Sequence, residues 1–449
     1  MTIVTARPGL LSHPFGERYA ARIGALPGAP HAWVDGLRQS ARAILGAQGL
    51  PGPKSEAWKF TSAVDLAKTP FIPANLADDI DVVDVPHNVP RIEGAVRIVT
   101  VNGIVRRDLS DAFDKIDGVS VLSLREALAA AHETLKAVIG GLASPGAYPM
   151  AAVNTAYMAD GFVIQVAKNV QTTRLHLISI GAAGAEPVSF HPRSVIGVAA
   201  GGNVALVETH VGLPGHSYFS NPVTEAVVGQ GGVLKRYVMV DEDADAFHGS
   251  VSAVSLAARA TYEDFRLCLG GRKVRQDIVV NLEGEGGNAQ IHGAYALARS
   301  DHADISTFID HAVPCCTSAQ EFKGVVAGKS HAVFQGRIRV AKDAQKTNAT
   351  QSHKGLFLNP GPVIDCKPEL EIFADDVQCA HGAATGEVDE GQLFYLMSRG
   401  IDPDTARGLL IAGFVEGATE KISDEPVRAA FVGAIETWLK RRLAEAVAL

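Results

Sequence analysis

The chain has 449 residues, of which 47% are hydrophobic, so it is long enough to form more than one domain around a sizeable core. Its formal net charge of −8 argues against a nucleic-acid-binding surface, which would need clustered basic residues. Five cysteines, an odd number, do not suggest a disulfide framework and favour a reducing compartment. The sequence shows neither a signal peptide nor an apolar run of about 18 residues, so we expect a cytoplasmic protein with no membrane span.

The first 95 residues are predicted to form a helical domain followed by a linker. Residues 31–45 carry apolar side chains at helical spacing, and prolines at 51 and 53 prevent the helix from continuing. Trp58 and Phe60 alternate with polar residues, which is typical of an aromatic anchor that packs a loop onto the rest of the protein. Residues 70–95 are rich in Pro and Asp and are expected to be irregular.

Residues 96–388 are predicted to form a long β core. One helix interrupts it at residues 123–140, with Ser123 as the N-cap and Gly140 just past its end. After Pro149, strand-like segments of about 4–8 residues follow one another, rich in β-branched residues and separated by Gly, Asn or Asp. No helical pattern separates these segments, and a Gly-Gly pair followed by a strand-like segment recurs after about 30 residues. The pattern favours a stacked parallel β-helix, with a β-sandwich as the alternative.

Residues 389–449 are predicted to form a C-terminal helical domain. A short helix begins at Asp389 and is stopped by Gly400. Asp402 caps a second helix that has Pro403 at its first position, which is a favoured arrangement. A third helix begins at Ser423 or Asp424 and places its apolar residues on one side.

The sequence contains no phosphate-binding loop, no dinucleotide fingerprint and no nucleophile elbow. Its glycine-rich segments are therefore interpreted as turns. Several of the 15 histidines stand singly in or beside strand-like segments and are expected to be core or surface residues rather than ligands. These are His176, His191, His210, His216, His248 and His292.

A cluster of His302, His311, Cys315 and Cys316 has the chemistry of metal ligands. His302 and His311 each follow an Asp, but neighbouring residues of a strand point to opposite faces, and vicinal cysteines lack the spacing that wraps a metal. Side-chain ladders along a β core are therefore the favoured interpretation. The alternative is a free-standing β-helix or cupin-like metalloenzyme that uses the region of His302, His311 and Cys315.

Cys379 and His381 are better placed for binding a metal. If residues 370–381 continue as a strand, the two side chains face the same side with Cα atoms roughly 7 Å apart. Thiolate sulfur and imidazole nitrogen suit iron, zinc or copper. Two ligands are too few for a closed site, so a second chain would have to complete it. A buried cysteine beside a surface histidine is an equally open interpretation.

Several segments resemble the SufB/SufD family of scaffold subunits of the SUF iron–sulfur cluster assembly system, and the SufD branch in particular. The match is densest at residues 300–340, in AQKTNATQS, in KPELEIFADDVQCAHGAATG and in LFYLMSRGI, and PKSEAWKFTS is similar to an N-terminal element of the family. The phrases LFLNPGPVIDC and HGAATG depart from the common pattern, which leaves loop detail open but leaves Cys379 and His381 in place.

The resemblance implies a right-handed parallel β-helix between helical domains, and a non-catalytic scaffold that pairs with a SufB-type subunit. It implies that His381 is an iron ligand at that interface, that Cys379 lies nearby, and that a transient cluster or iron is shared with SufB. It implies no tightly bound cofactor in the isolated chain, and it allows a flavin in the complex and a homodimer when the chain is alone. A SufC-type ABC ATPase is expected to dock on the C-terminal helices, through Leu393, Phe394, Tyr395 and Arg399.

Overall fold

The computed structural model describes residues 15, 17–20, 22–52, 54–74, 82, 84–130, 132–171 and 173–447. About 41% of the chain is strand, and the strands form a β-solenoid of about 8 turns with helices before and after it. The predicted parallel β-helix between helical segments is therefore confirmed, and the β-sandwich does not form.

The described helices lie at both ends of the chain and in one insertion near the start of the β core. They are α1 (Glu17–Ala20), α2 (Ala32–Gln48), α3 (Val64–Lys68), α4 (Leu124–Ala129), α5 (Glu133–Val138), α6 (Pro149–Tyr157), α7 (Glu390–Ser398), α8 (Pro403–Thr419) and α9 (Glu425–Val447).

Successive strands alternate between two sheets. The first sheet contains, in spatial order, β4 (Val119–Ser123), β5 (Gly161–Val166), β8 (Arg193–Val198), β11 (Val223–Val228), β13 (Phe247–Leu256), β15 (Lys273–Leu282), β17 (His302–His311), β19 (His331–Val340) and β21 (Val363–Ile372), with β1 (Ile72–Pro73), β7 (Val188–Phe190) and β10 (Tyr218–Ser220) beside it. The second contains β3 (Ile104–Val105), β2 (Ala95–Val101), β6 (Thr173–Gly181), β9 (Asn203–Gly212), β12 (Val233–Asp241), β14 (Thr261–Gly270), β16 (Asn288–Leu297), β18 (Thr317–Val326), β20 (Asn348–Phe357) and β22 (Gln378–Glu387).

One tight turn recurs in each rung of the solenoid and explains the repeat seen in the sequence. Its central residue has a positive φ, a conformation that favours Gly but is open to Asn and a few others. The backbone N–H of each such residue donates to a carbonyl of the same turn one rung on, as Gly231 does to Ala258. The positive-φ residues of this column are Asn169, Gly201, Gly231, Arg259, Gly286, Cys315 and Lys346.

The N-terminal helices cover the outer face of the first sheet. Trp58 is 6% exposed, and the Arg275 guanidinium lies 4.2 Å from its ring centre, so the predicted aromatic anchor is confirmed. Ser123 caps its helix by accepting a hydrogen bond from the Glu126 N–H. The predicted helix 123–140 is nevertheless wrong as a single element, because the chain forms two short helices, α4 and α5, there.

The C-terminal helices cover the outer face of the second sheet. Ile411, Phe431 and Trp438 are buried against this face, and the Phe431 ring lies 6.1 Å from that of Phe265. Asp402 caps α8 through its side chain, as predicted, and Asp389 caps α7 in the same way. None of the helices in the described part of the chain combines the length and hydrophobicity that a membrane span requires.

Candidate metal-binding end of the solenoid

The solenoid is open at its C-terminal end. β21 pairs only with β19, and β22 pairs only with β20, so each of these ten-residue strands has one free edge among the described residues. Most of β22 is exposed, and added Cβ atoms at Gly382 and Gly386 would meet nothing within 4 Å. A long, flat strand edge of this kind is a template for pairing with another strand.

His381 occupies an inward position of this last rung. In the register of the second sheet it is the neighbour of Gln351, which is in turn the neighbour of Gln320. Both glutamines are buried inside the solenoid, but no further strand of the described chain covers His381. Its imidazole is therefore exposed, and it has no hydrogen-bond partner in the part of the chain that the structure describes.

Cys379 lies two residues before His381 on the same strand, so the two side chains face the same side. The prediction that residues 370–381 form one strand is wrong, because the chain turns between β21 and β22, but this turn leaves the Cys–His pair intact. Cys379 is half-buried and packs against the buried apolar cluster that includes Ala349 and Val340. Burial raises the pKa of its thiol, and this effect outweighs a hydrogen bond from the Ala349 backbone, which lowers the pKa. The thiol is therefore protonated in the free chain.

A third potential ligand at the open end escaped the sequence analysis. Cys366 lies on β21, is half-buried and packs against the interior core. Burial raises the pKa of its thiol to about 11. In the first sheet, Cys366 is the register neighbour of the buried Phe334 on β19. Extending the repeat of about 30 residues from Phe334 would have placed Cys366 on the inward side.

Buried ion pairs lie inside the solenoid several rungs away from His381. Arg236 pairs with Glu208 through Nε and Oε1 at 2.5 Å, and Arg266 pairs with Asp264 through Nε and Oδ1 at 2.6 Å. Burial alone would raise the pKa of Glu208, but the charge and hydrogen bonds of Arg236 and His210 outweigh it and lower that pKa. Both arginines also donate to Ser252.

Nearer the open end lies a second group of buried polar side chains, which is uncharged. Thr307 donates to Gln320 Oε1 at 2.6 Å, while the Gln351 amide has both polar atoms buried without a hydrogen-bond partner among the described residues. His381 is thus the exposed end of a short uncharged column, and the buried Ile291 separates this column from the charged residues deeper inside.

The structure does not bring the His302, His311 and Cys315 region together. His302 faces outward and contacts the Thr61 hydroxyl at 3.0 Å, whereas His311 faces inward at the other end of β17 and bonds Ser318 at 2.8 Å. Burial lowers the pKa of His302 to about 3 and that of His311 to about 4. Cys315 is exposed in the recurring turn with φ 61°, so its position in the sequence reflects rung geometry. The metalloenzyme alternative therefore has no converging ligand set there.

Two histidines that the sequence treats as isolated do meet inside the solenoid. His210 and His248 lie in different sheets, and their ring centres are 4.9 Å apart. With Glu242 they form the one group of three potential metal ligands found among the described residues. The sequence gives no signal for this contact, because it depends on how the two sheets face each other.

The predicted ATPase-docking residues lie on α7. Phe394 is 72% exposed and Tyr395 is 57% exposed, while Leu393 is half-buried. The Arg399 guanidinium lies 5.2 Å from the centre of the Tyr395 ring. These side chains form an exposed apolar and cationic surface beside α8.

Fold and site together define a β-solenoid protein that is covered by helices on both outer faces and carries potential sulfur and nitrogen ligands at its open end. Residues 180–414 match the family model described as "SUF system FeS cluster assembly, SufBD core domain", and residues 15–176 match "SufBD protein N-terminal region". The chain belongs to this SufBD family of iron–sulfur cluster assembly proteins, and the resemblance seen in the sequence is confirmed.

Curated relatives agree with this assignment. The chain is 29% identical over 386 residues to the iron–sulfur cluster assembly protein SufD of Escherichia coli, covering 85% of this chain and 87% of that protein. It is 27% identical over 394 residues to a SufBD family protein of Synechocystis, covering 86% of each. It is also 36% identical over 246 residues to the chloroplastic protein ABCI7 of Arabidopsis thaliana, covering 54% of this chain and 51% of that protein.

Proposed function

We propose that this chain is a non-catalytic scaffold subunit on which an iron–sulfur cluster is assembled together with a SufB-type subunit. The observation that carries the proposal is the open end of the solenoid, where an inward-facing His381 lies on an unpaired strand edge. The cluster is the cargo of this site, and the chain supplies part of its ligand set.

The open end supports pairing with another solenoid. Besides the free backbone edges, β21 and the turn after it expose Val363, Ile372 and Phe373 to 48%, 41% and 60%. A partner strand would satisfy the backbone groups of the edge and cover these apolar side chains. A SufB-type subunit is the partner that family membership favours.

The ligand chemistry supports iron. Imidazole nitrogen and cysteine sulfur are ligands that iron accepts, and the thiol of Cys379 loses its proton readily only when a metal binds it. One exposed histidine with one or two protonated thiols is an unfinished site. Ligands from the partner subunit complete it, and His381 is the iron ligand contributed by this chain.

The exposed surface on α7 supports docking of a SufC-type ABC ATPase. α7 follows β22 after two intervening residues, so a force applied to α7 acts close to the strand that carries His381. ATP-driven movement of the docked subunit would thereby change the exposure of the open end.

The test is co-expression of this chain with its SufB-type and SufC-type partners, followed by native mass measurement and iron and sulfide analysis. His381→Ala is expected to preserve the complex and abolish cluster formation, since an exposed side chain without hydrogen bonds contributes little to folding. Ala383→Asp, which puts a charge on the next inward position of β22, is expected to prevent pairing. Thr350→Asp, on the exposed outer face one strand away, is the matched control and should leave the complex intact.

Two outcomes would contradict the proposal. If His381→Ala abolished the complex rather than the cluster, His381 would be an assembly residue and not an iron ligand. If Ala383→Asp paired as well as Thr350→Asp, the open end would not be the interface.

A further inference from the structure

A buried histidine–glutamate–histidine group lies inside the solenoid, away from the open end. One potential ligand atom from each of His210, Glu242 and His248 lies within 4.8 Å of the others. His210 is on β9, His248 is on β13 of the facing sheet, and Glu242 directly follows β12. Since Leu206 and Val254 belong to the interior core, strand alternation places His210 and His248 on the inner side as well.

Both imidazoles carry a nitrogen that has no partner. His210 is 6% exposed and His248 is 3% exposed, yet His210 Nδ1 and His248 Nε2 are buried without a hydrogen-bond partner among the described residues. A buried polar atom left without a partner costs about 1–3 kcal/mol. His210 Nδ1 is therefore available to bind a group that the described residues do not supply.

The surroundings of the Glu242 carboxylate indicate the charge of a ligand that it would bind. Its side chain is 2% exposed and accepts hydrogen bonds from the Tyr218 hydroxyl and from His248 Nδ1, the latter at 2.9 Å. Among the described residues no Lys or Arg forms an ion pair with Glu242, unlike Glu208 and Asp264, which both pair with arginines. A buried carboxylate without a cationic side chain is stabilised by a bound cation.

The surroundings leave room for further ligands. His210 and Glu208 line an interior cavity of ≈ 30 Å³, bordered also by the hydroxyls of Ser194 and Thr224. A water molecule needs roughly 10–15 Å³ of such volume, so a bound water can complete a coordination shell from this side.

We propose that His210, His248 and Glu242 form a structural or storage site for one divalent transition-metal ion inside the solenoid, and that the ion replaces the proton between His248 Nδ1 and Glu242 Oε1. Two imidazoles and one carboxylate form a donor set that suits Zn²⁺ and Fe²⁺, with water in the remaining positions. The hydrogen bond from Tyr218 to Glu242 orients the carboxylate, as outer-shell partners do in metal sites.

This site is separate from the proposed cluster site. Six strand spacings of about 4.8 Å separate β9 from β22 in the second sheet, so the two lie about 29 Å apart along the solenoid axis. Loss of metal at one site therefore leaves the other intact, which allows the two proposals to fail independently.

The experiment measures metal content in the full chain, expressed in medium supplemented with Zn²⁺, Fe²⁺ or Co²⁺ and purified without partners. We expect about one metal ion per chain in the wild type. Glu242→Gln and His210→Gln should lower it at least tenfold, since even the loss of an outer-shell partner typically weakens metal binding by that much. His176→Gln is the matched buried control and should keep the metal, because His176 already bonds Thr209 at 2.9 Å.

The Co²⁺ form provides a readout that needs no variant to fold. Ligand-field bands without sulfur-to-cobalt charge transfer support imidazole and carboxylate ligation, whereas charge transfer would assign the ion to the cysteines and overturn the proposal. A wild-type chain that carries no metal from any of the three media would also overturn it. So would metal retained in folded Glu242→Gln and His210→Gln chains.

Discussion

Gln351 lies beside His381 in the register of the last two strands of the second sheet, one rung deeper in the solenoid. The Gln351 amide is buried with both polar atoms unpartnered among the described residues, while the His381 imidazole is exposed. A hydrogen bond between the two would satisfy the amide and orient the ring, which is how outer-shell groups act on a ligating histidine. We therefore predict that Gln351 positions the His381 imidazole.

Gln351→Leu is expected to leave the complex with partner subunits intact and to lower its iron and cluster content about tenfold, since loss of an outer-shell partner typically weakens metal binding by that much or more. Gln320→Leu is the matched control, because Gln320 already accepts a hydrogen bond from Thr307 and lies a further rung away. Iron and sulfide analysis of the purified complexes gives the comparison. Equal losses in both variants would show a general effect on the interior and not positioning of His381.

The exposed ring of Phe394 on α7 is expected to contribute directly to ATPase docking. Phe394→Ser removes an apolar side chain that is 72% exposed, so the free energy of unfolding of the chain should change by less than about 0.5 kcal/mol. Burial of such a ring in an interface is worth about 2 kcal/mol or more, so affinity for the ATPase subunit should fall at least tenfold.

Leu409→Ser on α8 is the control for Phe394→Ser, because Leu409 is also exposed, at 53%, but lies on the neighbouring helix. Calorimetric titration of the ATPase subunit into each variant measures the difference. If Leu409→Ser weakened binding and Phe394→Ser did not, the dock would lie on α8.

Trp58 anchors the N-terminal region onto the first sheet. Its ring lies under Arg275, whose guanidinium also donates to Asp277 at 2.8 Å and Asp304 at 2.5 Å. Trp58→Ala should therefore destabilise the chain by about 3–5 kcal/mol through lost burial. Phe60→Ala, at the half-buried aromatic two residues on, should cost clearly less. Thermal and denaturant unfolding of the two variants tests this order, which would be reversed if Phe60 were the anchor.

Local sequence features predicted the elements well but not every contact between them. The helix start at Asp389, the cap at Asp402 and the parallel stacking followed from residue type and period, because these depend on nearby residues. The recurring turn is filled by Arg259, Cys315 and Lys346 in some rungs, which hides the glycine pattern. A positive φ is compatible with these residues when the neighbouring rungs fix the turn.

The candidate sites show where sequence reasoning ends. Cys379 and His381 are two residues apart, so strand alternation was enough to place them together. The contact of His210 with His248 joins strands of facing sheets, and its geometry depends on the distance between those sheets and on their register. That information appears only when the rungs are stacked.

Buried neutral histidines make the stability of the chain sensitive to acid. Burial lowers the pKa of His311 to about 4, below the value of about 6.5 expected in the unfolded chain. The unfolded state therefore binds more protons than the folded state between these values, and the stabilisation that is present above pH 6.5 is lost as the pH falls. Burial has the same effect on the pKa of other histidines, lowering it to about 4 in His176, His191, His292 and His353.

His311→Gln is expected to weaken this pH dependence, because glutamine does not titrate and its amide can replace Nε2 in the bond to Ser318. The pKa of His311 moves from about 4 to about 6.5 on unfolding. The free energy of unfolding of the wild type should therefore fall by about 2 kcal/mol between neutral pH and pH 5, and His311→Gln should not show this part of the loss. His381→Gln, at an exposed position, should follow the wild-type curve. Denaturant unfolding between pH 7.5 and about 4.5 measures the difference. Parallel curves for His311→Gln and the wild type would contradict the prediction, because they would mean that His311 is protonated in the folded chain as readily as in the unfolded one.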